Sequence, residues 1–236
     1  MNCAINQGLL EKERLPCYNS TDMREVSMGT SGNTKKAYEY IYNQILTGEK
    51  SFGAPISEAE IANGLGTSRS PVREALKLLE VEGVIVHYPN RGTFVTDMTR
   101  EDLSEIFQLR ILFELQALRM ACQFMDDSIL QELRRNIECL NEESTPQQYY
   151  SANTALHETI VHYSGNKRLI KFYNTLSLQI ALVNRLSAKL PSHFKESRKK
   201  HLDIVDAIIQ RDSTKAEQLL QSHLEEVRDK TLAMYI

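Results

Sequence analysis

No apolar run in this chain is long enough to cross a bilayer, and no secretory leader pattern is present. A cytoplasmic protein without a membrane partner is therefore expected. Cysteine is sparse: Cys3, Cys17, Cys122 and Cys139 are scattered, with neither metal-ligand nor disulfide spacing. Four reduced thiols are the expectation. Charge of one sign is lacking too. The net charge of −3 over 236 residues offers no general attraction to nucleic acid, so any such affinity must come from local placement. What remains is an ordinary globular composition, 42% hydrophobic and 25% charged, with room for one large or two modest domains.

Residues 1–32 show no sustained period. Pro16 and the Ser/Thr/Gly-rich run Ser27–Gly32 predict a flexible arm. Thr34 is placed to cap a helix that continues to about Thr47, with Ala37, Tyr38, Ile41, Ile45 and Leu46 inward and Gly48 as its stop. Ser57 and Glu60 have the S-x-x-E spacing of a capping box. The short helix behind them carries Ile61, Ala62 and Leu65 and ends at Gly64 and Gly66. The next helix is predicted from about Ser68 to Glu82, with Val72, Ala75, Leu76, Leu79 and Val81 turned inward.

That last helix begins with hydroxyl and basic residues. Arg69 and Arg73 are four apart and share one face. Basic side chains at the start of a short helix can enter a DNA major groove, and the free N–H groups there favour phosphate. Val84–Val86 and Thr93–Val95 then read as two strands around the turn Tyr88–Gly92, with Arg91 at the tip. Such a wing can set a cation into a minor groove or against phosphate. Residues 34–96 hold seven Lys/Arg (Lys35, Lys36, Lys50, Arg69, Arg73, Lys77, Arg91) and seven Asp/Glu (Glu39, Glu49, Glu58, Glu60, Glu74, Glu80, Glu82). A neutral head predicts weak binding by a single copy.

The boundary falls near Asp97–Arg100, giving a winged helix-turn-helix unit at 33–97 and an all-α unit at 98–236. The fold class is mostly α: a helix-turn-helix with a small β-hairpin wing, then a six-helix bundle. The helices are predicted at about 100–123, 127–142, 146–163, 166–188, 192–210 and 213–234. Asn153 and His157 lie four apart on the third of these, His201 lies on the fifth and His223 on the sixth. Facing helices can bring three imidazoles and one amide oxygen to a point, a donor set suited to Zn, Ni, Fe or Mn. The spacing equally allows surface or hydrogen-bonded core histidines. His162 and His193 read as surface or junction residues. Lys199–Lys200 with Arg198 read as a solvated face, and Tyr149 and Tyr150 as cavity lining or packing.

Ser68-Arg69-Ser70-Pro71-Val72-Arg73-Glu74-Ala75-Leu76, followed by Leu79-Glu80, Gly83 and Asn90-Arg91-Gly92, resembles the winged helix of GntR-type bacterial transcription regulators. Leu109-Arg110, Glu114, Asn153, His157, Asn166, His201-Leu202, Val205, Ala207-Ile208, Asp212, Ala216 and His223 resemble the FCD ligand-sensing domain of the FadR-like branch. Six helices are closer to the VanR-type subgroup. The resemblance implies that Ser68, Arg69, Ser70, Arg73, Arg91 and Gly92 contact DNA. It also implies that Asn153, His157, His201 and His223 hold one divalent metal per chain, with zinc expected first. Two features depart from the family pattern. Ala59 stands where many relatives have a basic DNA contact, and Asn153 stands where many have a carboxylate ligand.

The function that the resemblance implies is transcriptional regulation, with repression the commoner mode. A homodimer would read a short palindrome on double-stranded operator DNA. A small carboxylic-acid effector beside the metal would control it, with Arg110 as charge partner or merely as the i,i+4 partner of Glu114. No enzyme activity is expected. Two alternatives stay open: a metal-dependent hydrolase carried on a DNA-binding head, and a DNA-binding protein with an empty effector pocket.

Overall fold

The computed structural model describes residues 31–187 and 193–234. The arm expected at 1–32 lies outside these residues up to position 30. Helix α1 (Gly32–Thr47) is capped by Ser31, whose side chain accepts from the Thr34 N–H. Thr34 is thus three residues inside the helix and not at its cap. It is fully buried, and its hydroxyl donates to Glu74 at 2.8 Å. Strand β1 (Pro55–Ile56) follows, then α2 (Glu58–Gly64), where the Ser57 hydroxyl accepts from the Glu60 N–H.

Helix α3 (Arg69–Val81) begins after Ser68, which has the extended backbone of a cap but makes no capping bond with its side chain. That hydroxyl stays free for another acceptor or donor. Val72, Ala75, Leu76 and Leu79 face inward as expected, whereas Val81 is 87% exposed. The inward stripe ends at Leu79, two residues earlier than the apolar pattern suggests.

Strands β2 (Ile85–Tyr88) and β3 (Gly92–Val95) form the wing, with Ile85 opposite Val95 and Tyr88 opposite Gly92. β1 adds to the other edge of β3, pairing Ile56 with Thr93, so the sheet has three antiparallel strands in the order β1-β3-β2. A two-residue strand starting at proline leaves almost no period to read. The added strand ties the loop before α2 to the wing.

Six helices complete the described chain: α4 (Arg100–Ala121), α5 (Asp127–Glu138), α6 (Pro146–Tyr163), α7 (Lys167–Ser187), α8 (His193–Ile209) and α9 (Ser213–Leu232). Capping boxes at Thr99/Asp102 and Thr145/Gln148 start α4 and α6, and Asp212 caps α9. These caps explain why the joints at Thr99, Pro146 and Asp212 are sharp. α4 is the central rod, packing against α6, α7 and α9. One apolar cluster runs from Ile41, Val72 and Leu79 in the head to Phe107, Leu156 and Leu220 in the bundle. Cys122 is a buried free thiol. Cys139 is in a disulfide, which departs from the expectation of four reduced thiols. No helix among the described residues is long and apolar enough to cross a membrane.

Candidate functional site

The two groups of candidate residues lie on different parts of the molecule. On the head, Ser68, Arg69, Ser70 and Arg73 are all exposed at the start of α3. Arg91 and Gly92 are exposed on the wing, where Asn90 and Gly92 both take positive φ, 63° and 103°. Left-handed residues on either side of Arg91 turn the chain tightly between β2 and β3 and leave Arg91 exposed at the tip.

Arg73 is not simply solvated. Its Nε donates to Glu58 Oε1 at 3.1 Å and its Nη2 to Glu58 Oε2 at 2.9 Å. The bidentate pair bridges α2 and α3 and holds the Glu58 carboxyl below its ordinary range, chiefly through that hydrogen bond. Any other acceptor for this guanidinium has to displace Glu58. The 15-residue gap between the partners puts the pair beyond any local pattern, so sequence reasoning missed it.

In the bundle, His157 on α6, His201 on α8 and His223 on α9 converge, each at most 4% exposed. Each offers a ligand atom within 4.8 Å of the others. The Nε2 atoms of His201 and His223 are 3.0 Å apart. Imidazole nitrogens on one tetrahedral ion, each ~2.1 Å from it, would be about 3.4 Å apart, so a small opening of this pair admits an ion. At the site, the buried Nε2 of His157 has no hydrogen-bond partner. An orphaned buried acceptor is costly unless something takes its lone pair. Burial lowers the pKa of both rings, and His201 pushes His223 down further. Both are neutral at neutral pH, the form that coordinates a metal. Asn153, one turn before His157, lines the open cavity that also meets His201, His223 and Arg110. The donor set therefore fits a divalent ion.

Glu114 organises the site from beneath. It is completely buried and accepts from Arg110 Nε at 2.7 Å, His157 Nδ1 at 2.6 Å and the Tyr173 hydroxyl at 3.0 Å. Burial opposes its charge, but Arg110 and His157 outweigh that and bring the carboxyl down to about 2. With Nδ1–H donated to Glu114, His157 presents the Nε2 lone pair to the site. Arg110 is 2% exposed and also donates Nη1 to Asn184 Oδ1 at 2.7 Å. The ion pair with Glu114 and the place in the cavity wall thus coexist in one residue. Tyr149 and Tyr150 both line the cavity, and Tyr149 stacks on Phe194 with centroids 4.4 Å apart. Arg198 is not part of a solvated face: it donates to the carbonyls of Ile137 and Glu138 at the end of α5. Tyr173 and Asn184 lie eleven residues apart on one face of α7. Only that period could have marked them.

An exposed helix with a wing, joined to a bundle holding a buried histidine cluster, is the architecture of a winged helix-turn-helix head on an all-α domain. The GntR model ("Bacterial regulatory proteins, gntR family") matches residues 33–95, and the FCD domain model matches residues 105–226. The "Probable D-xylose utilization operon transcriptional repressor" of Paenarthrobacter nicotinovorans is 30% identical over 79% of this chain and 83% of its own. A GntR transcriptional regulator from Rhodococcus sp. RHA1 shares the fold with a TM-score of 0.74, at 23% identity, over 87% of this chain and 100% of its own. A Zn2+-bound FCD domain of another regulator covers 58% of this chain and 96% of its own, with a TM-score of 0.50 and 21% identity. The chain belongs to the GntR family of bacterial transcriptional regulators and carries a C-terminal FCD domain.

Proposed function

We propose that this regulator binds operator DNA as a homodimer and that a small organic acid, held beside a divalent ion in the bundle, controls its operator affinity. The observation that carries this reading is the donor set. Three buried imidazoles and the Asn153 amide supply no negative charge, and the one buried carboxylate beneath them is committed to three donors. An ion there, held by His157, His201, His223 and Asn153, would supply an electropositive anchor. Burying its charge is expensive without an anion. A carboxylate effector is the complement, with Arg110 in the same wall as a second positive group. The zinc of the related FCD domain favours zinc as the ion, and the repressor name of the xylose-operon relative favours repression.

On the head, Arg69 and Arg73 read or clamp DNA in the major groove. Ser68 and Ser70 add hydroxyl contacts, and Arg91 beside Gly92 follows the backbone or minor groove. A neutral single head buries too little for tight binding, so two copies on a palindrome are required. Exposed Leu109 and Leu112 on α4 and Phe172 on the adjacent α7, at 41%, 62% and 58% exposure, supply apolar surface for pairing. A metallohydrolase would need a carboxylate free to take a proton from water, and Glu114 has no such freedom.

The test is a thermal-shift screen of hydroxy, sugar and dicarboxylic acids on the purified chain, with and without added Zn2+. Stabilisation by an acid only when zinc is present supports the reading. Zinc-independent stabilisation, or none from any acid, contradicts it.

A further inference from the structure

The histidine site and the recognition helix lie in different domains, and one helix touches both. At the site, the Tyr173 hydroxyl of α7 donates to Glu114 at 3.0 Å, and Asn184 of α7 accepts from Arg110 at 2.7 Å. At the head, Gln179 Nε2 of α7 donates to the carbonyl of Glu82 at 2.9 Å, and Arg185 Nη1 donates to the carbonyl of Ile45 at 2.9 Å. Glu82 is the C-cap of α3, and Ile45 lies in the last turn of α1. Both acceptors are therefore helix-end carbonyls, which lack a full set of intrahelical partners and carry the negative end of the helix dipole.

The glycines at these ends give a second observation. Gly48 and Gly83 read in the sequence as helix stops, and both take positive φ, 80° and 72°. They also make room. A Cβ on Gly48 would lie 1.5 Å from Arg185 Nη2, and one on Gly83 would lie 2.4 Å from Gln179 Nε2. Each glycine is a seat for one α7 side chain. Gly66, which ends the α2 turn with φ 61°, has nothing within 4 Å of the same position. Close seating is thus particular to the two helix ends that α7 reaches. The two ends are also tied to each other, since the Tyr38 hydroxyl of α1 donates to the Glu82 carboxylate at 2.6 Å.

We propose that α7 transmits the state of the histidine site to the DNA head, with Tyr173 and Asn184 as its contacts to the site and Gln179 and Arg185 as its contacts to the helix ends. The proposal rests on the reading that the histidines hold a metal ion. An ion that fixes His157 fixes Glu114, then Tyr173 and the line of α7. The carbonyl seats at Gly48 and Gly83 then hold α1 and α3 as one body at a set angle to the bundle. Because both donors are side chains on one rigid rod, a small displacement of α7 is felt at both ends together.

Hydrogen exchange by mass spectrometry on the full chain, with Zn2+ as the probe, tests this. Zinc should slow exchange in the segments 45–50 and 82–86 by roughly fivefold, the change that one net hydrogen bond makes in a local opening equilibrium. Gln179→Met should remove the zinc response at 82–86 alone, and Arg185→Met at 45–50 alone. Both substitutions keep helix propensity and side-chain bulk. Zinc affinity by calorimetry should match the parent chain in both. Bound zinc with no response at either segment would overturn the relay and leave the metal reading standing. Responses that survive in both variants would do the same. A chain that binds no zinc would overturn the metal reading, and the relay with it.

Discussion

Glu114→Gln is the sharpest perturbation of the bundle. The carboxylate compensates Arg110, which is 2% exposed, and accepts from His157 and Tyr173 as well. The amide is nearly isosteric, so no cavity opens. It is neutral, however, and one of its two polar ends donates. Arg110 becomes a buried cation with no compensating charge, and His157, the donor to the second oxygen, faces an NH2 group. Breaking a buried pair in this way costs about 3–5 kcal/mol. Urea unfolding of the full chain should show that loss as a lower midpoint at an unchanged slope. The zinc effect is separable, because His157 loses the acceptor that sets its tautomer. Losing such an outer partner lowers metal affinity by roughly 10–100-fold, read by calorimetry at a temperature where the variant is folded. The double substitution Arg110→Met/Glu114→Leu removes both charges and should recover most of the stability. It should not recover zinc affinity. Stability of Glu114→Gln within ~0.5 kcal/mol of the parent, together with unchanged zinc affinity, would refute the assigned role.

Other outcomes follow from the same contacts. Glu58→Gln should tighten operator binding and steepen its salt dependence, since Arg73 no longer has to leave a bidentate carboxylate; Arg73→Ala should weaken binding strongly, and a titration over several salt concentrations checks both. Gly48→Ala should cost about twice what Gly66→Ala costs, near 2 against 1 kcal/mol in urea unfolding, because both pay for positive φ but only Gly48 also displaces Arg185. The metal-free chain should lose stability in two stages on acidification. His157 and His223 have folded pKa values below the ordinary 6.5, so the unfolded chain takes up protons first and stability falls as pH drops through about 6.5. Glu114, held at about 2 against 4.5, removes on the order of 3 kcal/mol more between those values. Urea midpoints that stay flat from pH 8 to pH 4 would contradict this.

Much of the architecture was legible from local chemistry. The six bundle helices fall within a few residues of their expected bounds because caps and breakers sit at nearly every joint, as at Thr99, Pro146 and Asp212. The exposure of Arg69 and Arg73 was legible too, since helical period alone turns Val72 and Leu76 inward and leaves the arginines out. Strand β1 was not, because two residues carry no period. Neither was the Ser31 cap: Thr34 is an equally good capping residue in sequence, and only its contact with Glu74 across the head shows that it is buried. Within the site, the histidines could be named, but the Glu114 hub could not. Its partners come from α4, α6 and α7, up to 59 residues away, and a Glu four residues after an Arg looks like an ordinary surface pair. The seats at Gly48 and Gly83 were hidden for the same reason, because a glycine that ends a helix and a glycine that receives a side chain are spelled alike.

The central claim joins DNA reading to a metal-dependent acid sensor. It is tested most directly by selecting binding sites for the purified chain from random duplex DNA and titrating the selected site in the presence of zinc, with and without the acid that emerges from the thermal-shift screen. The account predicts a palindrome whose half-sites lie about one helical turn apart, and an affinity that changes tenfold or more with the acid. That change should disappear in the His201→Ala/His223→Ala double variant while binding of the acid-free protein persists. Failure to enrich any site, or an operator affinity that the acid leaves unchanged at saturating occupancy, would contradict it.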